Sequence, residues 1–411
     1  MSQPLPGDAT IVVVGASLAG LRAAEELRHE GHAGPVIIVG DELHAPYDRP
    51  PLSKQLLSGK WEVDRIHHHA PDVLDTLGLE FRLGHRATAL DTDARTVTIA
   101  DEGDLHYDGL IVATGAAVRT IEGTVGQPGV HVLRTLDDCL GLKAGLAAAG
   151  PEPRLVVIGA GFIGAEVAAT AHGLGAWVTV VEALATPLER VLGEEMGRAC
   201  AGLHTDAGVA LRTGVGVAGV TADPGGDVPV VVHLADGTSL DADVVVVGVG
   251  VTPAVGWLEG SGLTVENGVV CDGSLFAGDR VTADGDVARW YHRGLDQDLR
   301  LEHWTNAAEG GAAAARNLLA GSADAVPYEP VPFFWSDQYA TKIQVVGRPA
   351  PDDEVVVVEG SVDERKLVAL YRRGDRLSAV LGFSRPRQLM SYRPLLAAGA
   401  SFDEALALAR S

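Results

Sequence analysis

The apolar residues of this chain fall in short unbroken runs that end on glycine. Residues 11–20 read I-V-V-V-G-A-S-L-A-G and residues 155–164 read L-V-V-I-G-A-G-F-I-G. Behind each run the pattern turns helical, and a second apolar run follows at 36–39 and at 177–182, closing on Asp41-Glu42 and on Glu182. The order strand, glycine turn, helix, strand is thus written twice, about 145 residues apart. Further apolar segments at 95–99, 110–114, 207–211, 228–234 and 244–247 read as strands, and continuous apolar strands with helices between them predict parallel sheets covered on both faces. A helix is expected to end near Ala149, and an alanine-rich one runs from E-H-W-T-N-A (302–307) to about Leu319.

The pattern changes at Pro327, Pro330 and Pro332, which read as a linker into F-F-W-S-D-Q-Y (333–339). Beyond it, 342–347, 354–359, 366–371 and 377–383 predict antiparallel strands, with Arg373-Gly374-Asp375 turning between the last two. Two helices are expected to close the chain, the second opened by a capping box in Ser401-Phe402-Asp403-Glu404. The fold class is α/β, with two Rossmann-like nucleotide-binding domains and an α+β C-terminal domain.

Each glycine of the second turn has its own task. Gly159 permits the tight turn, Gly161 lets a pyrophosphate reach the backbone, and Gly164 lets helix and strand pack closely. The helix N-terminus offers N–H groups and partial positive charge to phosphate. Glu182 is placed to accept from a ribose diol and to repel a 2′-phosphate, which predicts NAD over NADP. In the first turn Ser17 replaces the middle glycine, and Asp41 or Glu42 takes the ribose role. Two such units suit one tightly held flavin and one visiting nicotinamide.

Other positions carry weaker signals. In P-Y-D-R-P-P-L-S-K (46–54) three prolines predict an extended entry, with Ser53 as N-cap of a helix over 54–57. Lys54 reads as a solvated lysine by itself, or beside a flavin as a charge that stabilises its reduced form. A strand ending in Thr114-Gly115 marks the edge of a nucleotide site, and Gly250 lies in the turn after 244–247. Gly285 lets the backbone approach a ligand, with Asp286 placed to accept from a ribityl chain; Gly278-Asp279 repeats the dipeptide as a decoy. Trp304 reads as core or as a ring packed on a flavin. His67-His68-His69 lies where adjacent side chains point to opposite faces of a strand, and no metal site is expected.

Composition narrows the function classes. At 411 residues the chain calls for two or three domains, and a formal net charge of −23 argues against nucleic-acid binding. Cys139, Cys200 and Cys271 are far apart and form neither a disulfide framework nor a metal knuckle, which suits the cytoplasm. No signal peptide and no membrane span are expected. Residues 365–393 hold seven arginines and one lysine against the single acid Asp375, which suggests either an acidic partner or subunit contact, or a solvated basic face.

Taken together, P-Y-D-R-P-P-L-S-K, G-A-G-F-I-G-A-E-V-A-A-T-A (159–171), A-D-G-D-V-A-R-W (283–290), E-H-W-T-N-A and F-W-S-D-Q-Y resemble the NADH-dependent ferredoxin reductases of oxygenase systems, the group of the putidaredoxin, rhodocoxin and biphenyl-dioxygenase ferredoxin reductases. The resemblance covers essentially the whole chain. It implies a glutathione-reductase-like fold with a discontinuous FAD-binding domain (1–115 and 252–326), an NAD-binding domain (116–251) and a C-terminal domain (327–411). It implies non-covalent FAD held by Gly15, Ala19, Asp41, Lys54, Ala87, Arg134, Asp286 and Trp304, with Ser17, Gly20, Thr114 and Gly115 in the same site. NADH is expected on Gly159, Gly161, Phe162, Ile163, Gly164, Glu182 and Gly250. Lys54 and Glu166 are implied as a catalytic pair. The implied partner is an iron–sulfur ferredoxin, 2Fe–2S or 3Fe–4S, that feeds a cytochrome P-450 or a Rieske oxygenase, and the reductase itself is a monomer or homodimer. Three positions depart from the pattern: Ser17, Asp284 where a small apolar residue is usual, and Thr186 where an arginine is frequent.

Two rivals share this architecture. An NADH oxidase or disulfide reductase needs a redox cysteine over the flavin, and residues 41–57 contain none. An apoptosis-inducing-factor-like redox interaction protein is disfavoured by the compact length and the lack of a targeting segment.

Overall fold

The computed structural model describes residues 2–124, 126–223 and 228–410. The chain divides into two compact units, neither continuous in sequence: Met1–Asp48, Ile66–Ala117 and Thr252–Pro332 make the first, and Arg49–Arg65, Val118–Val251 and Phe333–Ser411 the second.

The first unit is built on a six-stranded sheet in the order Phe276–Gly278, Val281–Ala283, Gly109–Val112, Ile11–Val14, Val36–Gly40, Glu80–Leu83. All neighbours are parallel except the hairpin of the first two. The run Ile11–Val14 is buried at every position, as a strand covered on both faces must be. Helix Leu18–His29 lies on this sheet and meets helix Trp304–Ala320 through small residues: a Cβ on Gly311 would stand 2.4 Å from the Ala19 carbonyl oxygen.

The second unit carries a five-stranded parallel sheet, Ala210–Thr213, Trp177–Glu182, Arg154–Ile158, Val244–Val247, Val130–His131. Helix Leu136–Ala148 starts from a capping box between Thr135 and Asp138. A separate antiparallel sheet of five strands runs Phe333–Gln338, Thr341–Gly347, Arg376–Phe383, Lys366–Arg373, Glu354–Ser361. Leu192, Met196, Ala199, Cys200 and Leu203 of helix Glu189–Asp206 share a core with Ile343, Val345, Leu367, Tyr371 and Phe383 of that sheet. The helix breaks at Gly193 (φ +75°), and the Tyr371 hydroxyl donates to the Leu192 carbonyl at 2.9 Å.

Several expectations are corrected. Residues 50–53 form a 3₁₀ turn, Pro50–Ser53, not an extended entry, because prolines in the first turn lack only N–H groups that have no partner there. No helix follows over 54–57, and Ser53 caps nothing. Phe333–Gln338 is a strand that the pattern did not signal, and the C-terminus closes in three helices, Pro386–Ser391, Arg393–Ala397 and Phe402–Ala409, the last with the expected capping box. Folding pairs part of the basic stretch with acids: Arg365 with Asp206, Arg372 with Glu354 and Asp375, Arg373 with Asp353, and Arg385 with Glu359.

All three cysteines are buried and free. Burial pushes the Cys139 thiol up to about 11 and the Cys200 thiol to about 12. His69 Nε2 is hydrogen-bonded with Glu25 Oε1, and among the described residues no group of three or more His, Cys, Asp or Glu could hold a metal ion. Among the described residues no helix is long and apolar enough to cross a membrane.

Candidate functional site

The two glycine turns are built alike. Gly15 has φ +125° and Gly159 φ +102°, conformations that side chains rarely adopt. A Cβ on Gly15 would stand 2.1 Å from the Ala113 oxygen, and one on Gly159 2.3 Å from the Gly248 oxygen. The last glycines repeat the match: a Cβ on Gly20 would stand 1.9 Å from the Gly15 oxygen, and one on Gly164 2.1 Å from the Gly159 oxygen. The middle position is different. Gly161 has φ −71° with nothing within 4 Å of a built Cβ, and Ser17 has φ −108°. The backbone does not require glycine there, so Ser17 enters the first turn without strain.

Each turn sits at the C-terminal end of a central parallel strand whose neighbours lie on opposite sides, the crevice where open α/β sheets bind ligands. The N-cap residues Ser17 and Gly161 make no side-chain cap bond to their helices. A turn that a Cβ would close, followed by the N–H groups of a helix start, fits the pyrophosphate of a dinucleotide.

Around the first turn stand the other expected residues of that unit. Asp41, at the end of Val36–Gly40, is half-exposed and 2.9 Å from Arg86, while Glu42 accepts from the Tyr47 hydroxyl at 2.5 Å, so Asp41 is the acid turned outward. Ala87 opens strand Ala87–Asp91. Thr114 Oγ1 donates to the Ala254 carbonyl (2.9 Å), and the Gly115 carbonyl accepts from the Ala254 N–H (3.0 Å). Gly285 (φ +73°) lies against Ala19, with a built Cβ 3.1 Å from the Ala19 Cβ, so Asp286 follows next to the helix N-terminus. Arg300 holds the Asp286 carbonyl at 3.1 Å. The decoy Asp279 is on the sheet-edge hairpin, paired with Arg95. Trp304 Nε1 donates to Asp48 Oδ1 at 2.6 Å, which gives the aspartate of P-Y-D-R a partner.

Asp284 is 1% exposed, and its Oδ1 lies 2.0 Å from where a Cβ on Gly310 would be, so the carboxyl occupies space the missing side chain leaves. Desolvation pushes its pKa well above the carboxylate range.

In the second unit, Glu182 is bound to its own turn: Oε2 accepts from the Ala160 N–H at 2.8 Å and Oε1 from the Leu184 N–H at 2.9 Å. These bonds fix the carboxylate beside the glycine turn. Phe162 opens helix Phe162–Gly173 and packs edge-on against Phe334 at 4.9 Å, while Ile163 beside it is 47% exposed. The Gly250 carbonyl (φ +97°) accepts from the Arg119 N–H, and the Arg134 carbonyl accepts from Arg49 Nη1 at 2.5 Å. Thr186 is buried and shares Glu189 Oε2 through its N–H and hydroxyl.

Lys54 and Glu166 meet in this unit, Nζ to Oε2 at 2.6 Å, with the carboxylate 3% exposed and the lysine 12%. Ser53 Oγ donates to the same oxygen at 2.5 Å. The other oxygen accepts from Ser336 Oγ at 2.9 Å and from the Asp337 N–H at 3.1 Å. Thr170, one turn along the helix, donates to the Ser53 carbonyl at 2.7 Å.

The chain matches the model of the pyridine nucleotide-disulphide oxidoreductases over residues 9–311 and that of the reductase C-terminal domain over 333–411. The chain belongs to the pyridine nucleotide-disulphide oxidoreductase family. It is 37% identical to rhodocoxin reductase of Rhodococcus erythropolis, over 98% of this chain and 95% of the relative. It is 36% identical to putidaredoxin reductase of Pseudomonas putida, over 92% and 89%. The structure of the covalent putidaredoxin reductase–putidaredoxin complex overlays with a TM-score of 0.89 at 34% identity, covering 95% of this chain and 93% of that one.

Against this family background, four participants at the ion pair escaped the sequence reading: Ser53 as a donor to Glu166, Ser336, the Asp337 N–H, and Gln338, whose Nε2 donates to Ser336 Oγ at 3.3 Å. A signal existed in period two. Phe334, Ser336 and Gln338 alternate on the buried face of their strand, and a serine and a glutamine at core-facing positions need polar partners.

Proposed function

We propose that this chain is an FAD-dependent reductase that takes electrons from NADH and delivers them to an iron–sulfur ferredoxin of an oxygenase system. The observation that carries the reading is the repetition of one dinucleotide cradle in two units of a single chain, with an acid fixed at the second cradle. Its relatives include rhodocoxin and putidaredoxin reductases, whose names state the acceptor. FAD, non-covalently bound, supplies the exchange between a two-electron donor and one-electron acceptors.

The residues divide the work. Gly15, Ser17, Ala19 and Gly20 receive the FAD pyrophosphate, Asp41 its ribose and Asp286 its ribityl hydroxyls, with Ala87 in the same site. Thr114, Gly115, Arg134 and Trp304 complete that site. Gly159, Gly161, Phe162, Ile163, Gly164 and Gly250 receive NADH, and Glu182 accepts from its adenosine ribose diol. Lys54 presents a cation to the flavin, and Glu166 holds it. We assign 1–115 and 252–326 to FAD, 116–251 to NADH and 327–411 to the C-terminal domain. The cytoplasm is the compartment that suits three reduced, buried thiols.

Thiol chemistry finds no support. Cys139 lies behind the 50–53 turn, donating to the Leu52 carbonyl at 3.1 Å, and its raised pKa keeps it a thiol. The test is an anaerobic NADH titration of purified protein. About one FAD per chain, bleached by one equivalent of NADH, is expected; a chain that binds no flavin overturns the reading.

A further inference from the structure

We propose that Ser336, in the C-terminal sheet, is a positioning residue for Lys54, acting through Glu166; the proposal rests on the flavin-reductase reading above. A carboxylate removed from water is tolerated only when its oxygens are fully hydrogen-bonded. Glu166 meets that condition with four donors, two on each oxygen. The division decides the geometry. Ser336 Oγ and the Asp337 N–H occupy Oε1, so Oε2 must face Ser53 and Lys54. Ser336 is itself fixed from behind, because Gln338 Nε2 donates to its hydroxyl, and both residues are wholly buried. The result is one buried polar chain from Gln338 to Ser336 to Glu166 to Lys54.

Without the Ser336 hydroxyl, Oε1 keeps a single donor, and the carboxylate is free to turn Oε2 away from the lysine. Lys54 then loses a fixed position at a site where charge must be preorganised to act. The C-terminal sheet therefore contributes a residue to the placement of Lys54.

Three measurements on Ser336→Ala test this. In stopped flow without ferredoxin, the limiting rate constant of flavin reduction should fall roughly tenfold, the scale of one hydrogen bond to a charged group, while the apparent NADH affinity stays unchanged. The flavin midpoint potential should move negative in Ser336→Ala and in Lys54→Met, with no further movement in the double variant. In the flavin-free protein, Ser336→Ala should lower Tm in the wild-type background and change it little in Glu166→Gln. Ser336→Thr, which keeps a hydroxyl, should restore rate and potential. Should the alanine chain fail to fold, Ser336→Cys keeps the volume, gives up the strong donor and takes its place. A wild-type rate and potential in Ser336→Ala, or additive shifts in the double variant, overturn the positioning role alone; a wild-type protein that NADH does not reduce overturns the underlying function instead.

Discussion

Glu182 is bound by two backbone N–H groups before any ligand arrives. Its charge is therefore held at one point beside the turn, where a ribose diol gains an acceptor and a 2′-phosphate meets repulsion. Glu182→Gln removes the charge with little change in shape. The ratio of kcat/KM for NADH to that for NADPH should drop by about tenfold or more; an unchanged ratio would show that another group reads the ribose. A second residue tests burial. His204 is 0% exposed, its Nδ1 bonded to the Tyr339 hydroxyl at 2.7 Å, and desolvation pushes its pKa from the ordinary 6.5 down to about 4. The unfolded chain thus takes up a proton near pH 6.5 that the folded chain refuses until about pH 4. The neutral ring's contribution is fully present above pH 6.5 and is lost as pH falls toward 4, by about 3 kcal/mol across the window. Denaturant midpoints at pH 7 and pH 5 should differ less in His204→Gln than in the parent, and equal differences would remove His204 from the acid response.

Among elements, the glycine turns give a contrast that separates fold from ligand. At Gly159 both the positive φ and the Gly248 oxygen exclude a side chain, so Gly159→Ala should lower Tm by several degrees and abolish NADH binding. At Gly161 the backbone is ordinary and the space open, so Gly161→Ala should keep Tm and weaken NADH binding, read by titration calorimetry. A matching loss of Tm in both would mean that the middle glycine serves the fold. These elements were legible in sequence because strands buried on both faces leave unbroken apolar runs, and positive-φ turns leave glycine. The 50–53 turn was not, since proline is compatible with extended chain and with a first helical turn alike. Ser53 is ambiguous in sequence for a related reason: the same hydroxyl serves an N-cap or a buried carboxylate, and only the fold shows which. The Ser336–Glu166 bond spans 170 positions, beyond any local pattern.

For the whole molecule, order along the chain and grouping in space diverge. The 49–65 segment with Lys54 belongs to the unit that holds Glu166 and the C-terminal sheet, although 1–48 and 66–117 build the other. Charge diverges likewise. The arginines of 365–393 look like a basic patch in sequence, yet at least four of the seven face acids, and three of those acids lie on or next to strand Glu354–Ser361. Any acidic partner therefore meets less positive charge than the sequence suggests. Passage of electrons from NADH to a ferredoxin is read by a single coupled assay. Purified protein with NADH and cytochrome c is supplied in turn with 2Fe–2S and 3Fe–4S ferredoxins, including those encoded beside this gene. A saturable, ferredoxin-dependent rise in cytochrome c reduction, with NADH favoured over NADPH, is the result expected; flavin reduction by NADH that no ferredoxin carries on to cytochrome c would contradict it.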